Sequence, residues 1–303
     1  MASEGGKPVL DHIVILLPHP KLLELPSWLT DAFTVLNGGR HADGVTENKL
    51  ILLEDGVYLE LIAFIEGKEK ERQTHKWGHR LEGHIIDWAY TLLTPAASDG
   101  NTVGSPEDKY RVIQDRIRAA KTGIEYDDPV GGGRITPGGT ELRWATASPH
   151  VEEKSLGDFL GGEAPFWCLD RTPRPLRVPH HVAENVRHPS GATGIQSVSV
   201  FVKDKKVFDA LHRTYDALQG TQGTAVSAEA SQEAYRYDVG APEGNTHRPP
   251  PSIILAQPTE ATGESAAVPD VYVKLAMYSK SGQGKVAGVL AGGWELEIEL
   301  VAS

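Results

Sequence analysis

His12 and Glu60 are the residues best placed to do chemistry, because each stands inside an otherwise apolar phrase: LDHIVILLPH at 10–19 and GVYLELIAFI at 56–65. Side chains alternate faces along a strand, so His12 shares a surface with Val14 and Leu16, and Glu60 with Tyr58 and Ile62. A buried polar group without a partner costs about 1–3 kcal/mol, and an unpaired carboxylate costs more. Each residue therefore needs the other, a metal ion or a ligand. The plainest alternative is a buried hydrogen-bonded pair that fixes strand register.

Other candidates carry weaker signals. His41 and Asn48 flank a turn that enters an apolar strand, and both residue types tolerate unusual turn geometry. His75, His79 and His84 imitate metal-ligand spacing, yet Gly78 and Gly83 argue against a helix, so a charged loop is expected. Cys168 lies in an apolar strand, where a free thiol behaves as a small inert hydrophobe. GGGR at 131–134 could cradle an anion, but the flanking DDP and TPGG make it read as a hairpin turn. No Walker phosphate loop, GxSxG elbow or HExxH motif is present, which removes the nucleotide-hydrolase, serine-hydrolase and zinc-protease readings.

The elements that must position these residues form a degenerate repeat. LDHIVILLPHP from Leu10, IDWAYTLLTP from Ile86 and IQSVSVFVKD from Ile195 read as opening strands, and aligning them brings His12, Trp88 and Ser197 into register. A helix follows each. The first is short, around Pro26 to Phe33. The second has Ser105 as N-cap, Pro106 at its first position and Ile113, Ile117 and Ala120 on one face, ending near Gly123. The third has Asp204 as N-cap, an apolar stripe of Val207, Phe208, Leu211, Tyr215 and Leu218, and Gly220 as its stop.

Short strands follow each helix: 34–36, 49–53 and 57–65 in the first unit, TELRWATA from Thr140 and PFWCLD from Pro165 in the second. The third offers YRYDV from Tyr235, SIILAQ from Ser252, VYVKLAMY from Val271 and WELEIEL from Trp294. The expected organisation is a domain over 8–191, made of units 8–82 and 83–180 with a linker, then a third unit over 192–303. Residues 66–82 read as a charged surface loop or frayed helix, 220–231 and 240–251 as insertions, and the proline-rich 171–194 as an extended linker.

Composition narrows the function classes. The 303 residues suffice for one large domain or two ordinary ones, and 40% hydrophobic with 23% charged residues is ordinary for a globular protein. No apolar run approaches the roughly 18 residues of a membrane span. A net charge of -11 opposes phosphate contacts, so no nucleic-acid partner is expected. The tryptophans read better as core or cavity walls. Cys168 is the sole cysteine, which excludes an intrachain disulfide and a four-cysteine cluster. The opening MASEGGKPVL lacks an apolar signal region and the closing VAS matches no retention or lipidation signal, so a cytoplasmic location and no membrane partner are expected.

The β-α-β-β-β repeat, with a histidine in the first strand and a glutamate in the last, resembles the vicinal oxygen chelate superfamily. Together with GGRHADGVTENKLILLEDG at 38–56 and HPSG at 188–191, the chain is most similar to its glyoxalase-like proteins. The likeness is good over about residues 8–95, thinner to 191 and topological beyond. It implies an α+β fold in which repeated β-α-β-β-β units form curved open sheets around a cavity, as in glyoxalase and dihydroxybiphenyl dioxygenase. It also implies a divalent metal (Zn, Fe, Mn, Co or Ni) held by His12 and Glu60, with positions left for an oxygen-bearing substrate. His41, Asn48, Tyr58, Trp88, Trp144 and Trp167 would line the pocket.

The second unit departs from that pattern, carrying Trp88 and Cys168 at the ligand positions. The third offers Ser197 and Glu297, so Glu297 would complete a His-Glu-Glu set if units one and three share a cavity. The implied activity is metal-dependent isomerisation, lyase-type proton abstraction or ring cleavage on a small oxygenated molecule. The alternative is a non-catalytic, metal-free protein that sequesters an apolar metabolite or drug between Trp88, Trp144 and Trp167. A homodimer is compatible with either.

Overall fold

The structure is a computed structural model that describes residues 6–93, 105–158, 161–228, 230–244, 248–259 and 269–303. The end of IDWAYTLLTP past residue 93, and parts of the insertions at 220–231 and 240–251, lie outside these residues. The first unit runs β1 (Val9–Leu16), the short helices α1 (His19–Leu23) and α2 (Ser27–Thr30), then β2 (Leu36–Arg40), β3 (Thr46–Leu52) and β4 (Tyr58–Phe64). After α3 (Glu69–Thr74), the second runs β5 (Ile85–Thr91), α4 (Pro106–Ala120), β6 (Ile124–Tyr126), β7 (Val130–Ile135), β8 (Glu141–Ala147), β9 (Pro149–Val151) and β10 (Phe166–Asp170). Both units share one eight-stranded sheet of order β2-β3-β4-β1-β5-β10-β8-β7. Its outer edges meet through a bridge between His41 and Arg134 and a 3.0 Å bond from the Ala42 amide to the Gly133 carbonyl. The sheet thus curls almost into a barrel.

A connector containing α5 (Arg174–Arg177) leads to the second sheet, formed by β11 (Ala192–Val202), α6 (Lys205–Gln219), β12 (Thr224–Ala225), β13 (Ser231–Asp238), β14 (Ser252–Pro258), β15 (Val271–Ser279), β16 (Gly284–Ala291) and β17 (Trp294–Ala302). Its order is β12-β13-β14-β11-β15-β17-β16. β15 runs antiparallel to β11 as β5 does to β1. Strands β15 and β17 are the VYVKLAMY and WELEIEL segments of the third unit, and β16 between them is a strand that the sequence reading did not single out. Among the described residues no helix is long and apolar enough to cross a membrane.

Local signals set the two long helices. Ser105 and Asp108 form a reciprocal capping box at the start of α4, which satisfies two otherwise orphaned amides. Asp204 accepts from the amides of Lys206 and Val207, and Gly220 ends α6 in the left-handed region. The helices pack together, with Arg116 donating to the carbonyls of Ala217 and Leu218. One continuous core spans them and both sheets, including Trp88, Tyr90, Ile113, Trp167, Val198, Phe208 and Tyr215.

GGGR lies in a strand rather than the expected turn, which falls instead at 136–139. The missing side chains are the reason: a Cβ on Gly133 would stand 2.5 Å from the Leu142 carbonyl, and one on Gly132 would stand 3.0 Å from the Trp144 indole nitrogen.

Asp55 joins the two sheets. It sits in the turn between β3 and β4 and accepts from the amides of Val57 at 3.0 Å and Ile195 at 2.8 Å. Burial pushes its pKa up, and these amides recover only part of the shift, leaving it at about 6. Because the folded pKa exceeds the unfolded one, Asp55 favours folding most below pH 3.8 and loses that contribution as pH rises through 6. The loss amounts to about 3 kcal/mol. Asp55→Asn does not titrate, so its stability minus that of the wild type should increase by that order between pH 4 and 7 in urea unfolding. A gap that stays constant with pH would refute the assignment.

Candidate functional site

The cavity lies inside the first sheet, and a bulge sets its chemistry. In the pairing of β1 with β5, Leu10 faces Tyr90 while His12 faces Ala89, so Asp11 is an extra, unopposed residue. The bulge turns Asp11 towards the connector. Arg177 donates to it at 3.2 and 2.8 Å and Arg174 at 3.1 and 3.3 Å. Burial works to raise the Asp11 pKa, but the two guanidiniums outweigh it and hold the carboxyl well below its usual range.

β1 and β4 are parallel neighbours in which His12 opposes Tyr58 and Val14 opposes Glu60. The His12 ring stacks on Tyr58 at 4.7 Å. Its Nδ1 lies 3.2 Å from Asp11, and its Nε2 lies 3.5 Å from Glu60 Oε2. Asn48 on β3 donates to Glu60 Oε1 at 2.5 Å, and His41 Nε2 approaches the same oxygen to 3.6 Å. The other His41 nitrogen contacts the Thr46 hydroxyl at 2.7 Å. Sheet closure brings His41 here.

The charges follow from this geometry. Burial alone would raise the pKa of Glu60, but His12, His41 and Asn48 overcome it and hold it at about 2. Burial alone would depress His12, whereas Asp11 and Glu60 outweigh that and leave it raised. Burial prevails at His41, lowering its pKa, and leaves it neutral at pH 7. The site thus holds a fixed carboxylate between two imidazoles of different character.

The cavity occupies about 290 Å³. Of the residues singled out in the sequence, His12, His41, Asn48, Tyr58, Glu60 and Trp144 line it. Trp88 and Trp167 do not: both are fully buried in the main core. The bulge explains Trp88, because it places Ala89 rather than Trp88 beside His12. Trp88 instead donates to the Gly162 carbonyl and packs on Tyr90. On β10 it is Phe166 and Cys168 that face the cavity. Glu297 lies in the second sheet, exposed and paired with Lys285 at 2.7 Å, because units one and two share the cavity-bearing sheet.

Sequence reasoning missed residues delivered by segments read as loop or linker. His75, Lys76 and Trp77 come from the charged stretch after β4, and Arg177 from the connector, where it also donates to the Tyr58 hydroxyl at 2.7 Å. Burial, aided by Lys76, lowers the pKa of His75 to about 4. The signals in that segment were His75, whose spacing was read as that of a charged loop, and Trp77, an aromatic residue inside an otherwise charged run. The Trp77 indole donates to the buried Asp87 at 2.7 Å, which anchors the segment.

His12 and Glu60 fit a divalent ion. A separation of 3.5 Å suits two ligands on one centre, each about 2.1 Å away. The contact from His12 Nδ1 to Asp11 is the outer support that metal-bound histidines commonly have. Among the described residues, the three-residue groups with converging ligand atoms are Asp11, His12 and Cys168, and, away from the cavity, Glu125, His150 and Glu152. The first is not a ready thiolate site, since burial pushes the Cys168 thiol up and Asp11 is engaged by two arginines. Among the described residues that line the cavity, His12 and Glu60, with His41 beside them, are the closely approaching ligand groups.

A hypothetical protein from Staphylococcus aureus has a similar structure, with 12% identity, coverage of 96% of this chain and 99% of that one, and a TM-score of 0.59. That likeness establishes the fold. BphC, a halotolerant catechol dioxygenase, aligns at 10% identity over 99% of this chain and 88% of its own, with a TM-score of 0.42. A glyoxalase I from Zea mays aligns at 11% over 98% and 95%, with a TM-score of 0.32. These two looser likenesses carry no functional weight. No curated protein matches the sequence. The family described as glyoxalase-like domain matches residues 10–218, and the chain belongs to that family, within the vicinal oxygen chelate superfamily.

Proposed function

We propose that this chain is an enzyme that moves a proton on a small oxygenated substrate, with a divalent metal seated on His12 and Glu60. The observation that supports it is the buried Glu60 carboxylate, kept ionised at the cavity wall with the Nε2 atoms of His12 and His41 at 3.5 and 3.6 Å. A carboxylate of such low pKa is a poor base but a good anionic ligand. His41, neutral at pH 7, is the better proton acceptor, and the Thr46 contact fixes its ring. Asn48 holds the Glu60 carboxylate in place, and Trp77, Trp144 and Phe166 give the cavity apolar wall surface. When bound, the ion would supply Lewis-acid stabilisation of oxyanionic charge.

The same aromatic walls favour a second reading, a metal-free protein that sequesters its ligand. Metal uptake separates the two. Elemental analysis after incubation with Zn, Fe, Mn, Co and Ni should find about one ion per chain, with affinity falling by at least tenfold in His12→Ala. No uptake by folded wild-type protein would eliminate the metal-dependent reading and leave sequestration.

A further inference from the structure

We propose that the molecule taken by this cavity is a small organic acid whose carboxylate is received by Lys76. The inference rests on the cavity being the substrate site. Lys76 lies between His75 and Trp77. As a residue it is exposed, yet its ammonium turns inward and lies 3.7 Å from the Phe166 ring centroid and 4.3 Å from that of Trp77. Phe166 is 3% exposed and Trp77 6%.

Neighbouring carboxylates are committed elsewhere. Glu60 is held by Asn48, His12 and His41. Asp87 accepts from the Trp77 indole, the Trp88 amide and the Gly162 amide. Among the contacts of the described residues, Lys76 makes none with an oxygen acceptor, only those with the two rings. A flexible lysine with an exposed stem could extend its ammonium into water, so an inward head supported by ring faces is a poised cation. Ring faces attract it but cannot neutralise its charge.

A second cation lines the same cavity. Arg134 is 6% exposed and donates to the Gly38 carbonyl, and among the described residues no carboxylate pairs with it. Arg177, by contrast, is occupied by Asp11 and Asp170. Asp87 and Glu60 act on Lys76, and Glu60 on Arg134, only through space; two cations that form no close ion pair among the described residues make an anionic guest more favourable than a neutral one of equal shape. Apolar walls then suit a carbon skeleton beside the charged group.

Benzoate and its neutral counterpart benzamide provide the test, titrated calorimetrically into wild type, Lys76→Met, Lys76→Arg and Glu60→Gln. Wild type should prefer benzoate by roughly tenfold or more, Lys76→Met should lose that preference, and Lys76→Arg should retain most of it. Equal preference in wild type and Lys76→Met would overturn the assignment, as would undetectable benzoate binding to wild type. The metal reading fails separately: a charge preference that depends on Lys76 in protein that takes up no ion would remove that reading and leave this one standing.

Discussion

Arg177→Met is expected to destabilise the protein by about 3–5 kcal/mol, more than a typical core substitution. Arg177 is 3% exposed and ties three elements together. It donates to Asp11 on β1, to Asp170 at the end of β10 at 2.6 and 2.8 Å, and to the Tyr58 hydroxyl on β4. Its removal leaves Asp11, which has no exposed surface, with only Arg174 and His12. The cost comes chiefly from that stranded charge, so it should diminish when the carboxylate is also neutralised. Urea unfolding of Arg177→Met, Asp11→Asn and the double variant checks this, because the double should cost clearly less than the sum of the singles. An effect of Arg177→Met below about 1 kcal/mol would mean that the connector merely lies over the sheet.

That network marks the boundary of what the sequence discloses. His12 and Glu60 were legible because a polar residue inside an apolar strand is a local anomaly. Ser105 and Asp204 were legible as caps because capping is satisfied within one turn. Trp88 was misplaced because an extra residue at Asp11 shifts the β1–β5 register, and a shift of one residue exchanges the two faces of a strand. Nothing in LDHIVILL announces that bulge. Its partners, Arg174 and Arg177, lie more than 160 residues away in a proline-rich stretch that reads as linker. Lys76 and Trp77 were hidden similarly, since their segment is polar in composition and is held by Asp87, itself an acid inside a strand. Glu297 matched the alternation of β17, but alternation does not say which sheet a strand joins.

Glu60→Gln tests the centre itself, and its effects on stability and on activity have separate causes. Glutamine keeps the shape and can still accept from Asn48, so the lost quantity is the charge. The folded pKa of about 2 lies below the ordinary 4.5, so the ionised group favours folding above pH 4.5 and loses that contribution as pH falls towards 2. Two to three pKa units correspond to about 3 kcal/mol at pH 7. Urea unfolding should therefore show a deficit in Glu60→Gln of that order at neutral pH, and the deficit should narrow between pH 5 and 3. A variant as stable as wild type at pH 7 would mean that desolvation cancels the pairing with His12 and His41. The His12 proton supplies an independent readout: Glu60 helps to raise the His12 pKa, so the imidazole resonance should titrate at lower pH in the variant. Metal affinity should fall as in His12→Ala, and turnover of an accepted substrate should drop by about a hundredfold or more. Loss of stability without loss of turnover would make the carboxylate a structural anchor. A loss of turnover persisting at pH 3.5, where the stability gap has narrowed, would place Glu60 in the chemistry.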